Sequence, residues 1–397
     1  MSILYNLKKQ SWILMIWLFT RITLIFVGWA ATLRIPGGPL AEPWPFPKLP
    51  LIFTMWDRFD SQWYLAIAQY GYNLPYKTHY SPQAFFPLYP LLIALVHRIT
   101  SIPYLIVGII ISNIFFILAL YILYQLVEDH FGEKIARLSI IFMLIFPTSF
   151  YFSAIYTESL FLFGTALSFW AADHKKWWVA GIGGAIAVLT RNLGITLIIP
   201  LSIIAWKQYG KKSLKKCYPI LLIPIAFSIW AIYLWQFTGN PLQFIHAEYG
   251  WGHKLMPPFV SLVVAIYNIF TAPPASFPQG VYVSAWKAPF AALYSTIDGI
   301  SALIGLIVPF IGRRYGLPWS WVIYSLIGTL VPMTAPTIYA MTPLASMSRY
   351  IVVLFPIMVA LAQITINRQN LKLSLIISLS LIQAFFFTLF VTWNWIA

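Results

Sequence analysis

Residues 104–127 read YLIVGIIISNIFFILALYILYQLV, without one charged side chain. As a helix rising 1.5 Å per residue this run is about 36 Å long, enough to cross a hydrocarbon core of about 30 Å. Pro103 precedes it and Glu128-Asp129-His130 follows it, so its ends are marked by residues that leave the membrane. Comparable apolar runs cover about 11–33, 138–153, 158–172, 177–190, 193–206, 218–237, 288–311, 318–333, 350–366 and 373–395, several of them shorter than a full crossing. Of the 397 residues 60% are hydrophobic and 9% charged, with a mean hydropathy of +0.79. No soluble domain carries that balance on its surface. The expected architecture is an all-α polytopic membrane protein of about eleven transmembrane helices, one transmembrane domain over 1–397.

Two stretches interrupt the pattern. Residues 34–103 and 238–287 are semi-polar, aromatic and proline-rich, and are the places for sizeable structure outside the bilayer. The net charge of +15 comes mostly from short clusters between apolar runs: Lys8-Lys9, Lys134 with Arg137, Lys175-Lys176, Lys207 to Lys216, Arg313-Arg314, and Arg368 with Lys372. Basic residues so placed mark cytoplasmic loops and face anionic membrane lipids rather than nucleic acid. The N-terminus is then cytoplasmic and both large loops are extracytoplasmic. The first apolar run follows MSILYNLKKQ without a small-residue cleavage site, so it is expected to be retained as a span. A single cysteine, Cys217, excludes a disulfide framework or a multi-thiolate metal site within the chain.

The acidic residues divide in the same way. Glu128, Asp129, Glu133 and Asp173 lie in the basic connectors, whereas Glu42, Asp57, Asp60, Glu158 and Glu248 fall on the other side. Asp298 and Arg21 lie within spans. Function is therefore sought on the outer face. From Trp56 the chain reads WDRFDSQWYLAIAQYGY, in which Trp56, Phe59, Trp63, Ile67 and Tyr70 share one face at helical spacing. This predicts a helix lying on the outer leaflet, with Asp57 and Asp60 as neighbours near its start. Those two carboxylates read either as caps favoured by the helix dipole or as a base held at the lipid–water boundary. Beyond Tyr72, Pro82, Pro87 and Pro90 break the backbone into short segments before another helix, which suits a re-entrant loop.

Phe59-Asp60-Ser-Gln-Trp-Tyr-Leu-Ala-Ile-Ala-Gln-Tyr-Gly71-Tyr72, followed by Ala84-Phe-Phe-Pro-Leu-Tyr-Pro90, resembles the signature of the PIG-V family, which includes the second mannosyltransferase of GPI-anchor assembly. Tyr156-Thr157-Glu158-Ser159, Leu189-Thr190-Arg191-Asn192-Leu193-Gly194-Ile195, Trp251 after Phe244, and Ser348-Arg349-Tyr350 before Phe355-Pro356 extend the resemblance in the same order. It implies a GT-C-like glycosyltransferase that moves a sugar, mannose by family, from a polyprenyl-phosphate donor to a lipid-linked or glycan acceptor on the extracytoplasmic face. The transfer would proceed with inversion and use a carboxylate in the first outer loop. Phe59-Asp60 fits the family spacing, with Asp57 as the second candidate. The setting implied is a prokaryotic plasma membrane, or the endoplasmic reticulum for a eukaryotic member.

The chemistry asks for little more. An inverting transfer needs one base for the acceptor hydroxyl and cations for the leaving phosphate, and Arg191 and Arg349 at span boundaries are the candidates for the latter. Each also reads as an arginine snorkelling to the interface. Glu158 at a helix start, His79 before the proline segment, and His246, Glu248, Trp251 and Lys254 in the second loop are candidate substrate contacts, with Trp251 suited to stacking on a sugar. The spacing of His246, Glu248 and His253 matches no recognised zinc set, and no metal or cofactor is expected. The competing reading is a transporter or flippase of a lipid-linked substrate, which would call for repeated halves and paired charges at mid-membrane.

Overall fold

The computed structural model describes residues 3–37, 49–75, 80–271, 288–336 and 343–396. In chain order its α-helices are α1 (Ile3–Arg34), α2 (Leu51–Thr54), α3 (Ser61–Tyr70), α4 (Leu88–Thr100), α5 (Tyr104–Phe131), α6 (Glu133–Ile145), α7 (Glu158–Asp173), α8 (Trp177–Thr190), α9 (Ile198–Tyr209), α10 (Ser213–Lys216), α11 (Leu222–Thr238), α12 (Gln243–Gly250), α13 (Pro258–Thr271), α14 (Ala288–Arg314), α15 (Trp319–Met333), α16 (Met347–Val352), α17 (Phe355–Thr365) and α18 (Gln369–Val391). No strand occurs among the described residues. The protein is an all-α polytopic membrane protein. Among the described residues six stretches are long and apolar enough to cross a bilayer: Gln10–Arg34, Tyr104–Phe131, Asn192–Lys212, Tyr218–Thr238, Thr296–Arg314 and Gln369–Val391. On α1, Met15, Phe19, Ile22 and Phe26 are exposed at helical spacing, and on α11 Ile225, Ile229 and Ile232 are exposed likewise. Such stripes are tolerable only where lipid is the solvent.

Between the long helices the chain is cut into shorter pieces, and prolines explain where. The run expected over 138–153 stops as α6 at Ile145, because Phe146 precedes Pro147 and takes an extended backbone (φ −56, ψ 141). A 3-10 turn, Ser149–Phe152, follows. The run expected over 350–366 is broken at Leu354 (ψ 77), ahead of Phe355-Pro356, into α16 and α17. These breaks make short elements whose ends, instead of being buried in lipid, gather at one end of the bundle.

That end is fixed by α7 and α8, which run back to back through the tight turn Asp173–Lys176. The start of α7 and the end of α8 therefore lie side by side, and Lys175 and Lys176 lie at the opposite end. The two backbones touch: a Cβ on Gly183 would come within 2.7 Å of the Gly164 carbonyl oxygen, and one on Gly164 within 2.7 Å of that of Gly183. Ser168 Oγ donates to the Ala180 carbonyl at 2.9 Å across the same crossing. Gly183→Val should push the helices apart, cost about 1–3 kcal/mol and lower the thermal midpoint in detergent, with its largest effect on the pairing of residues at the far helix ends. An unchanged midpoint would mean that the crossing relaxes freely.

Among the described residues two apolar clusters form the interior. The larger is built on α5–α9, α15 and α17, including Phe142, Phe169, Trp321 and Phe355. The second lies under the first loop and joins Met55, Trp56, Tyr64 and Tyr89 to Phe150, Tyr151 and Tyr156 and to Phe386, Phe387 and Phe390 of α18. It is the floor on which the polar site is set.

Candidate active site

The segment Trp56-Asp57-Arg58-Phe59-Asp60 is not helical. Phe59 lies in the left-handed region at φ 53, so α3 begins only at Ser61 with Asp60 at its N-cap. A bulky residue adopts such a backbone only when its surroundings hold it there. Here its ring packs against Phe390, Trp393 and Trp395 at 5.9, 5.5 and 5.0 Å between centroids. Arg58 fastens the same corner: its Nε donates to the Val391 carbonyl at 2.9 Å, its guanidinium lies 4.8 Å from the Trp393 ring, and its own carbonyl accepts from Tyr156 Oη at 2.9 Å. Two expectations are corrected by this kink. Asp57 and Asp60 are not neighbours on one helix side, and Trp56 and Phe59 do not extend the face of α3. Nor is the aromatic face of α3 open to lipid along Ser61 to Ala68, which are all buried, with α4 and α5 packed beside the helix.

The two carboxylates part company. Asp57 is buried and accepts from Ser61 Oγ at 2.7 Å. Burial pushes its carboxyl up to about 6, against the opposing pull of Ser61 and Arg58. The folded value exceeds the unfolded one of about 3.9, so the contribution to stability is full below pH of about 4 and is lost as pH rises through about 6. Asp57→Asn keeps an oxygen for Ser61 and removes the charge. It should raise the thermal midpoint at pH of about 7.5, by the equivalent of about 1–3 kcal/mol, with a smaller gain near pH 5 and with turnover retained. A variant less stable at both pH values would contradict this.

Asp60 makes no side-chain cap bond, which removes the capping reading for it. Its backbone N–H donates to Tyr156 Oη at 3.2 Å, and its Oδ2 accepts from Arg349 Nη1 at 2.8 Å. Arg349 Nε lies 3.5 Å from Glu158 Oε1, the oxygen that also accepts from Arg191 Nη1 at 2.7 Å. Asp60, Arg349, Glu158 and Arg191 thus form one chain of alternating charge with no net charge, drawn from the first loop, α16, the start of α7 and the end of α8. The arginines do not snorkel: Arg349 is 9% and Arg191 12% exposed, and Glu158 is 1%. Asp60, at 19%, is the most open member.

Local structure explains each placement. Glu158 sits in the first turn of α7 and Arg191 just past α8, so each is stabilised by the helix dipole beside it. Arg191 is extended (φ −151, ψ 142), and the chain then folds back on α8, a return possible because Gly194 lies where a Cβ would come within 2.3 Å of Val188 N. Aromatic rings shield the cations. Arg349 lies 5.6 and 5.4 Å from the rings of Tyr151 and Tyr156, and Arg191 lies 5.1 Å from that of Tyr350. Buried charges persist when paired, yet this set is not saturated. Glu158 Oε2, Arg349 Nε and Ser348 Oγ are buried without a hydrogen-bond partner among the described residues.

The second loop closes over the first. Trp251 stacks on Tyr80 at 4.2 Å and meets Trp63 and Phe85 edge-on at 5.4 and 5.9 Å, while Phe244 packs on Phe86 at 5.6 Å. One face of the Trp251 ring is thereby covered, and its indole N–H is buried without a partner among the described residues. Glu248 lies 3.6 Å from His253 Nε2 with 39% of its side chain exposed. It belongs to the rim of the cluster. His246 is exposed and bonds with Asn240 at 3.0 Å, and Lys254 is exposed, its backbone N–H donating to the Pro336 carbonyl. Neither is brought into the charged chain. His253 Nδ1 donates to the Ala335 carbonyl at 2.7 Å, and among the described residues no three His, Cys, Asp or Glu side chains are grouped to hold a metal. His79 lies outside the described residues.

Sequence reading passed over two residues that the structure brings into play. Arg21, inside α1, donates to the carbonyls of Ser149 and Leu144 at 3.1 and 3.3 Å and so braces the turn Ser149–Phe152, whose Tyr151 faces Arg349. Asp298, inside α14, accepts the backbone N–H of Met347 at 3.1 Å. The available signal was their position: an ionisable side chain in a span is costly and is kept for a reason.

The family model described as Mannosyltransferase (PIG-V) matches residues 48–216, which include Asp57, Asp60, Glu158 and Arg191. No curated protein matches the chain. Among solved structures, the apo oligosaccharyltransferase of Archaeoglobus fulgidus is similar at 13% identity and a TM-score of 0.45, over 95% of this chain and 56% of that one. AglB from the same organism, in complex with an inhibitory peptide and a dolichol-phosphate, gives 13% and 0.45 over 98% and 56%. ArnT from Cupriavidus metallidurans, bound to undecaprenyl phosphate, gives 10% and 0.34 over 89% and 78%. The chain thus spans little more than half the length of the Archaeoglobus enzymes it matches.

Proposed function

We propose that this chain is an inverting glycosyltransferase of the PIG-V kind, which takes a sugar, mannose by family, from a polyprenyl-phosphate donor and passes it to a lipid-linked or glycan acceptor on the extracytoplasmic face of its membrane. The observation that carries the reading is the buried chain Asp60–Arg349–Glu158–Arg191, with its most open member a carboxylate and its unsatisfied groups beside two arginines. The family match over 48–216 supports the sugar chemistry. The placement of Lys175 and Lys176 at the far end of α7 and α8 supports the outward orientation.

The reaction needs a proton acceptor and a sink for charge. The acceptor hydroxyl gives its proton to Asp60 as its oxygen attacks the anomeric carbon, the bond from that carbon to the phosphate oxygen breaks, and the electron pair leaves on the phosphate. Once protonated, Asp60 no longer holds Arg349 by charge. Arg349 is then released toward the leaving phosphate, where Arg191 supplies the second fork. Glu158 keeps both guanidinium groups turned toward each other. Trp251 and Glu248 form the side from which the sugar and the acceptor are met, with His246 and Lys254 at its outer edge, and His79 is a further candidate contact by sequence alone. No metal enters this scheme.

The test is to give the purified protein a panel of polyprenyl-phosphate sugars and to measure free polyprenyl phosphate when acceptor is added. Release that depends on acceptor supports transfer. Movement of the intact lipid between leaflets without release would support a flippase.

A further inference from the structure

Arg349 is presented by α16, a helix of six residues that begins after Ser346, itself in the left-handed region at φ 70. So short a helix has too few internal hydrogen bonds to hold its own shape. It is held from outside at the residues just before the arginine. Asp298, 2% exposed within the span Thr296–Arg314, accepts the Met347 backbone N–H at 3.1 Å. From the opposite side Thr148 Oγ1 donates to the Ser348 carbonyl at 2.9 Å. The Met347 N–H and the Ser348 C=O are thus held by two elements far apart in the chain, and the next residue is the cation that joins Asp60 to Glu158. Asp298 touches none of those charged side chains in any contact of the described residues.

We propose that Asp298 is a positioning residue for the transfer reaction, fixing α16 so that the Arg349 guanidinium stands where the donor's phosphate is to be met, with Thr148 as its counterpart. The proposal rests on the reading of Arg349 as a phosphate ligand. A carboxyl group suits the task because its oxygen is a strong acceptor for a backbone N–H at a helix start. The cost of keeping an acid inside a span is met by the placement of a functional cation.

The test is titration of the full chain in detergent micelles with undecaprenyl phosphate, alongside thermal unfolding. Arg349→Ala should weaken binding about 10-fold or more, and Asp298→Ala about 5–10-fold. In the Arg349→Ala background Asp298→Ala should add nothing, since a residue that acts through another shows no separate effect. Asp298→Asn, which keeps one acceptor oxygen for Met347, should recover most of the loss. Thr148→Val, a milder change that keeps the side chain's shape, should weaken binding about 3-fold, so the proposal stays testable if Asp298→Ala fails to fold. Wild-type affinity in Asp298→Ala or in Thr148→Val, or a loss that adds fully to that of Arg349→Ala, would overturn the proposal. Wild-type affinity in Arg349→Ala would instead overturn the reading of Arg349 on which it rests.

Discussion

Asp60→Asn should fold, insert and bind polyprenyl phosphate, yet lose transfer by roughly 10²–10⁴-fold, the range a positioned general base contributes. The substitution is nearly isosteric, so Arg349 keeps an oxygen to donate to at the position now 2.8 Å away. What changes is charge and basicity. The amide cannot take the acceptor's proton, and the four-residue chain, neutral in the parent, gains one positive charge. Lipid phosphate should therefore bind at least as tightly as before while turnover falls, a divergence of binding from rate that mere unfolding cannot produce. Turnover within a few-fold of the parent would remove Asp60 as the base. The contrast with Asp57→Asn sharpens the point, because that carboxylate is spent on Ser61 and its loss should leave the rate standing.

Arg349→Ala should have the second large effect, on two readouts. It leaves Asp60 and the almost wholly buried Glu158 without their shared partner, and breaking a buried pair on one side costs about 3–5 kcal/mol. The thermal midpoint should fall by several degrees. It also removes a forked donor from the leaving phosphate, which should raise the donor KM and lower kcat/KM by about 10–100-fold, the worth of one or two hydrogen bonds to a charged group. Arg349→Lys retains the charge but not the fork. It should restore much of the stability and little of the rate. If lysine restores both, a point charge suffices and the bidentate role is wrong.

How much of this was legible beforehand differs by level. The long apolar runs announced the spans, because composition and length alone decide whether a helix can cross lipid. The members of the site were visible one at a time: Asp60, Glu158, Arg191 and Arg349 are ionisable groups in apolar or aromatic surroundings, each with an ordinary use as a cap or a snorkelling side chain. Their pairing was not visible. Asp60 and Arg349 lie 289 positions apart, and no periodicity encodes which cation meets which anion at that distance. The helix expected from Trp56 fails for a related reason. Helical spacing put Phe59 on a shared face, but its left-handed backbone is set by Phe390, Trp393 and Trp395 at the far end of the chain. The aromatics of α3 were read as facing lipid, whereas Trp63 meets Phe85 and Trp251 and Tyr64 meets Phe85 and Tyr89, because the second loop folds over the first. Prolines were legible as breakers, yet the purpose of the breaks at Pro147 and Pro356 is evident only once the turns they create are seen beside Arg349.

The most direct measurement follows the anomeric carbon itself. With a polyprenyl-phosphate sugar of defined anomeric configuration and a competent acceptor, the product's configuration and the amount of polyprenyl phosphate set free can be read together by NMR and by lipid extraction. One equivalent of polyprenyl phosphate for each glycoside formed, with the configuration reversed, is the expected result. A product of unchanged configuration, or sugar delivered with its phosphate still attached, would contradict a direct displacement assisted by Asp60.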